Sequence, residues 1–66
     1  MAVMKVVEIM SDSKKSWEDA TARAVARTSK SVNGIKSAYV VNQSVVVKDG
    51  KVTSYRVNLK ITFEVK

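Results

Sequence analysis

The sequence predicts an α+β domain of order β-α-β-β, with one helix packed on a three-stranded antiparallel sheet. Three observations predict it. From Thr53 to Lys66 apolar and polar side chains alternate without interruption, the period of a strand with one buried face. An Asp49-Gly50 step separates that run from a second extended stretch, IKSAYVVNQSVVVK. Between Trp17 and Val32 the apolar positions instead recur at helical spacing.

The first element is VMKVVEIM, residues 3–10, whose β-branched residues predict a strand. The polar stretch SDSKKSWEDA then reads as a helix start. Ser16 with Asp19 three residues on resembles a capping box, with Ser13 as a competing cap one turn earlier. Glu18 and Asp19 would lie in the first turn, where the helix dipole favours negative charge. Trp17, Ala20, Ala24, Val25, Thr28 and Val32 share one face, and Asn33-Gly34 supplies the stop. The expected helix is about 16 residues long, with a face of mostly small side chains that lets it lie close to a sheet.

Asp49-Gly50 suits a two-residue type I′ turn. With a simple register, Val40 would face Leu59, Ala38 would face Ile61 and Val46 would face Thr53. On the polar side, Gln43 would face Arg56, Val41 would face Asn58 and Tyr39 would face Lys60, and a bulge would shift these pairs by one.

Composition removes several classes of chemistry. The chain has no cysteine and no histidine, which excludes disulfides, thiolate metal sites and the commonest general base. No residue pair suggests a nucleophile with its base, and the expectation is that the protein is not an enzyme. The apolar stretch in MAVMKVVEIM is too short and interrupted to span a membrane and lacks a signal-peptide cleavage pattern. A cytoplasmic protein of one domain, residues 1–66, is expected. The net charge is +6, but the basic residues are scattered over helix and strands. That pattern suits solubility and subunit boundaries better than a nucleic-acid face, which would also place several aromatics on an open sheet.

The hairpin arms pose a packing problem. An arm of about 14 residues spans roughly 45 Å at ~3.3 Å per residue, whereas a 16-residue helix covers about 24 Å. One helix therefore cannot roof the apolar face that carries Leu59, Ile61, Phe63 and Val65. Burying such side chains is worth roughly 1.5–3 kcal/mol each, and bare sheet edges are a hazard that proteins avoid. A closed homo-oligomer is the expected solution.

The stretches KVVEI, SWEDA, AYVVNQSVVV and DGKVTSYRVNLKITF, within residues 3–65, resemble the dodecin family. The resemblance implies a β-α-β-β subunit assembled with eleven copies of itself into a hollow sphere that stores or buffers a small molecule or ion. Many dodecins stack a flavin on a tryptophan early in the second strand and hold the ring edge with a glutamine in the third. Those positions match Ser37 and Arg56, so flavin is disfavoured, because a serine has no π-face. The only tryptophan, Trp17, opens the helix and reads as a packing residue. The SWE start and the YR step are instead similar to the non-flavin branch, which includes the calcium dodecins. Calcium takes six to eight oxygens, and Asp12, Ser13, Glu18 and Asp19 could converge at the strand–helix junction. The competing reading is that these acids cap the helix. The polar strand face, with Tyr39, Gln43, Arg56, Asn58 and Lys60, is the surface open to a ligand, with anionic groups suiting its cations; its alternative role is an inter-subunit layer. Two other readings stay open: a flavin-storing dodecin with an altered site, and a module that binds nucleic acid or an acidic partner.

Overall fold

The computed structural model describes residues 2–66. Strand β1 (Val3–Ser13) leads into helix α1 (Trp17–Thr28), followed by the hairpin strands β2 (Ile35–Lys48) and β3 (Lys51–Val65). All pairing is antiparallel and the strand order is β1-β3-β2. The β-α-β-β order and the one-helix, three-stranded layer are those expected, and β2 spans the predicted stretch from end to end.

Two elements differ from expectation. Strand β1 runs three residues further, because Ser11, Asp12 and Ser13 pair with Val57, Arg56 and Tyr55. The helix has 12 residues, not 16, and ends at Thr28 with Ser29 as its cap. The following residues close as tight turns, with Lys30 and Ser31 N–H groups bonded to the Arg27 and Thr28 carbonyls. Gly34 has the left-handed φ of 77°, yet it serves the entry to β2 rather than the helix cap. Its carbonyl accepts from the Glu64 N–H at 3.0 Å, which fastens the start of β2 to the end of β3.

The Asp49-Gly50 turn has positive φ at both central residues, 53° and 75°, as a type I′ turn requires. Towards the base of the hairpin the register is the simple one: Val40 pairs with Leu59, Ala38 with Ile61 and Tyr39 with Lys60. The remaining expected pairs are displaced by irregularities between Val40 and Asn42 and between Val46 and Val47. Asn58 therefore meets Asn42 rather than Val41, Arg56 meets Ser44 rather than Gln43, and Val46 meets Ser54 rather than Thr53. Each extra residue slips one strand against the other, and a slip of one exchanges the faces. Gln43 pairs with Val57 and so joins the helix side of the sheet, not the polar side.

The core is small. Val57, Leu59 and Ile61 of β3 are wholly buried beneath Ala20 and Ala24, with Val7, Ile9, Trp17, Val25, Ile35 and Val40 packed around them. The alanines let α1 sit close to the sheet, as the small-residue face anticipates. The helix lies over β1 and β3 and barely reaches β2. At ~1.5 Å per residue its 12 residues cover about 18 Å, against a long axis of 50 Å for the molecule.

Candidate functional site

Alternation along β3 turns Arg56, Asn58 and Lys60 away from the buried Val57, Leu59 and Ile61. The pairing partners fix what stands beside them on this outer face: Asp12, Met10 and Glu8 from β1, and Ser44, Asn42 and Tyr39 from β2. Ser37 belongs to the same face through Thr62. Tyr39 is 69% exposed. Of the expected polar-face residues, Tyr39, Arg56, Asn58 and Lys60 are thus together, and Gln43 is not.

This face is already laced by its own side chains. Arg56 donates through Nε to Asp12 Oδ1 at 2.7 Å and through Nη2 to Oδ2 at 3.2 Å. The hydrogen bonds hold the Asp12 carboxyl below its usual range and raise Arg56 further. Asn58 donates to Glu8 at 3.1 Å, and Lys36 approaches Glu64 at 3.6 Å. The two-nitrogen grip on one carboxylate is the planar recognition that arginine provides and lysine does not. Lys60 enters no ion pair among the described residues. Sequence reading did not assign a role to Glu8. The signal was its spacing of four from Asp12, which places both on one strand face, but it needed the β1–β3 register to become legible.

The family-matched positions Ser37 and Arg56 share a face but stand apart along it. Ser37 pairs with Thr62, six residues along β3 from Arg56, a separation of about 20 Å at ~3.3 Å per residue.

The candidate calcium residues also part company. Asp12 faces outward to Arg56, while Asp19 stands on the helix side, accepting from the Ser13 hydroxyl and from Arg23 Nε at 2.7 Å. Ser13 chiefly, and Arg23 next, keep the Asp19 carboxyl below its usual range. Glu18 is exposed in the first helical turn. Among the described residues no group of three or more acids comes together, and Asp12 and Asp19 have different partners, Arg56 for the one and Ser13 and Arg23 for the other. The junction is instead a cap. Ser16 accepts from the Asp19 N–H at 2.9 Å, and Ser13 Oγ from the Lys15 N–H at 2.9 Å and the Ser16 N–H at 3.5 Å. Asp19 does not return to the Ser16 N–H as a capping box would; that N–H meets the Ser13 hydroxyl instead.

Trp17 is the packing residue expected. Its ring meets Tyr55 edge-on at 5.2 Å and 78°, and Nε1 donates to the Ser44 carbonyl at 2.9 Å. It ties the helix start to the middle of the hairpin. Beyond that point Val45, Val47 and Val52 are 39%, 59% and 51% exposed.

Fold and face together define a class: a two-layer β-α-β-β protein whose sheet outruns its single helix and whose outer face is spanned by an Arg56–Asp12 pair. The family model for dodecin matches residues 3–66, and the chain belongs to the dodecin family. It is 38% identical over 66 residues to the calcium dodecin of Mycobacterium tuberculosis, covering 100% of this chain and 93% of that protein. The crystal structure of that calcium dodecin, described as a calcium-chelating antigen with a novel calcium-binding site, superposes with a TM-score of 0.85 at 40% identity, over 97% and 91% of the two chains. A Thermus thermophilus dodecin variant matches with a TM-score of 0.93 at 26% identity, over 100% and 98%. Streptomyces coelicolor dodecin matches at 0.94 and 25%, over 98% and 93%. No helix among the described residues is long and apolar enough to cross a membrane.

Proposed function

We propose that twelve copies of this chain close into a hollow shell that binds and buffers a small anionic molecule or an ion, without catalysis and without stacking a flavin. The observation that carries this reading is the mismatch between helix and sheet. With α1 lying mainly over β1 and β3 and touching β2 little, the helix side of β2 and the hairpin end keep Val45, Val47 and Val52 exposed, and the outer face of β1 keeps Met4, Val6 and Met10 exposed. Apolar surface on both sides of a sheet is surface for neighbours, and membership of the dodecin family supports the closed shell as the form those neighbours take.

The ligand class follows from the outer face. Ser37 offers no aromatic platform, and Arg56 is engaged by Asp12. Any ligand touching both would draw them from different copies. Lys60 and Tyr39 supply an unpaired cation and an exposed phenol, a set suited to phosphate or carboxylate groups. Calcium is the ion suggested by the 38% identical relative. Carboxylates from more than one copy would ligate such an ion, since no three acids come together among the described residues of a single chain.

Mass in solution, followed by ligand titration of the assembled particle, tests the reading. The expected result is a particle near twelve times 7.3 kDa that leaves riboflavin fluorescence unquenched. A monomer refutes the shell. Tight quenching refutes the exclusion of flavin. Isothermal titration with calcium and with inorganic phosphate then separates the two ligand classes.

A further inference from the structure

The segment between α1 and β2 carries a feature that the binding reading does not use. Asn33 is exposed and is followed directly by Gly34, outside any helix or strand. Gly34 adopts φ 77°, and its N–H has no acceptor among the described residues. We infer that Asn33-Gly34 is a self-modification site, where Asn33 converts to aspartate and isoaspartate without an enzyme, and that conversion loosens the entry to β2.

The chemistry balances with water alone. The Gly34 amide nitrogen gives its proton to solvent and attacks the Asn33 side-chain carbonyl carbon. The new carbon–nitrogen bond closes a five-membered imide, and the side-chain nitrogen leaves as ammonia. Water then opens the ring at either carbonyl, giving aspartate or a backbone rerouted through the former side chain. A side chain at the following residue would obstruct the attack, and a hydrogen-bonded N–H would be slow to lose its proton. Gly34 imposes neither obstacle.

The other asparagines are protected by the same criteria. Asn42 and Asn58 lie paired in β2 and β3, are followed by Gln43 and Leu59, and Asn58 is further held by Glu8.

The consequence is local. The Gly34 carbonyl accepts from the Glu64 N–H, and a Cβ at Gly34 would lie 3.4 Å from the Glu64 carbonyl oxygen. Isoaspartate inserts one methylene into the main chain immediately before this close contact. It also places a carboxylate in the hollow that Asn33 shares with Phe63, Glu64 and Lys66.

The test ages the full-length protein in its native assembly beside a synthetic peptide of residues 31–36, at mildly alkaline pH. Intact mass, peptide mapping and enzymatic isoaspartate detection follow the conversion. The expected result is a gain of one mass unit and isoaspartate confined to the Asn33 peptide, abolished by Asn33→Ser. A protein that stays intact while the peptide converts overturns the assignment. Hydrogen exchange at the Glu64 amide reads the loosening. Faster exchange in aged protein, absent from the Asn33→Asp variant that carries the charge without the extra atom, is expected. Unchanged exchange in converted protein refutes the effect on β2.

Discussion

Arg56 grips Asp12 across β1 and β3 with two nitrogens, at 2.7 and 3.2 Å, on the sheet face that looks away from the helix. Both side chains are nearly half exposed, so solvent and salt screen the pair and its contribution is modest. Its pH signature is nonetheless definite. Asp12 titrates below its usual value of 3.8 in the fold because Arg56 hydrogen-bonds the carboxylate. A depressed carboxyl adds stability above the unfolded value and loses it as pH falls through the folded one. Asp12→Asn should therefore lower the urea midpoint slightly at neutral pH, with the gap from the parent closing in acid and in high salt. A gap that persists through the acid limb would mean the substitution acts through something other than this pair.

The strand–helix junction hangs on Ser13, which is 6% exposed. Its hydroxyl donates to Asp19 and accepts from the Lys15 N–H. Ser13→Ala removes the donor to the part-buried Asp19 and the acceptor of the Lys15 N–H, at a cost of about 0.5–1.5 kcal/mol, the net worth of an ordinary hydrogen bond. In a double-mutant cycle with Asp19→Ala the loss in the double variant should fall short of the sum of the single losses, since both single changes remove the same hydrogen bond. Full additivity in chemical denaturation would show that the pair does not act as a unit.

Trp17→Phe keeps an aromatic edge against Tyr55 and deletes the Nε1 donor to the Ser44 carbonyl. The expected loss is about 0.5–1.5 kcal/mol, read by circular dichroism because the substitution removes the only tryptophan. Amide exchange should rise in the hairpin beyond Ser44 and stay unchanged at Leu59 and Ile61. A uniform rise along β3 would place Trp17 in the global core instead.

How far the sequence carried the structure depended on whether each feature has a local chemical cause. Asp49-Gly50 specifies its turn because only residues tolerant of positive φ fit both positions, and Ser16 specifies its cap through one oxygen. The alternation of β3 survives because Val57, Leu59 and Ile61 all meet the helix. The irregularities along β2 left no comparable mark, since Val40, Val41 and Val46 suit either side of a slip. Gln43, expected on the polar face, therefore lies on the helix side with Val57. The helix end was overestimated because Val32 continues the apolar period, although after Thr28 the chain closes through Lys30 and Ser31 instead. The outer face was legible as polar, but not its wiring: Arg56 finds Asp12 and Asn58 finds Glu8 only through the β1–β3 register, a pairing between the two ends of the chain.

Assembly and subunit stability can be separated by two substitutions. Leu59 is fully buried, and Leu59→Ala should cost about 2–5 kcal/mol through lost contacts and the cavity left behind. Val47 is 59% exposed near the hairpin tip, beyond the helix. An aspartate there stands opposite the exposed Val52 and outside the buried core, but puts a charge on surface that a neighbour would bury. Val47→Asp should therefore keep the far-ultraviolet spectrum of the parent while lowering the mass seen by light scattering. Phe63→Asp, half-buried beside Val32 and Val65, should lower the mass as well, with some loss of subunit stability. If Val47→Asp kept the parent mass while Phe63→Asp did not, the hairpin tip would point into solvent and the contact between copies would lie at the open end of the sheet.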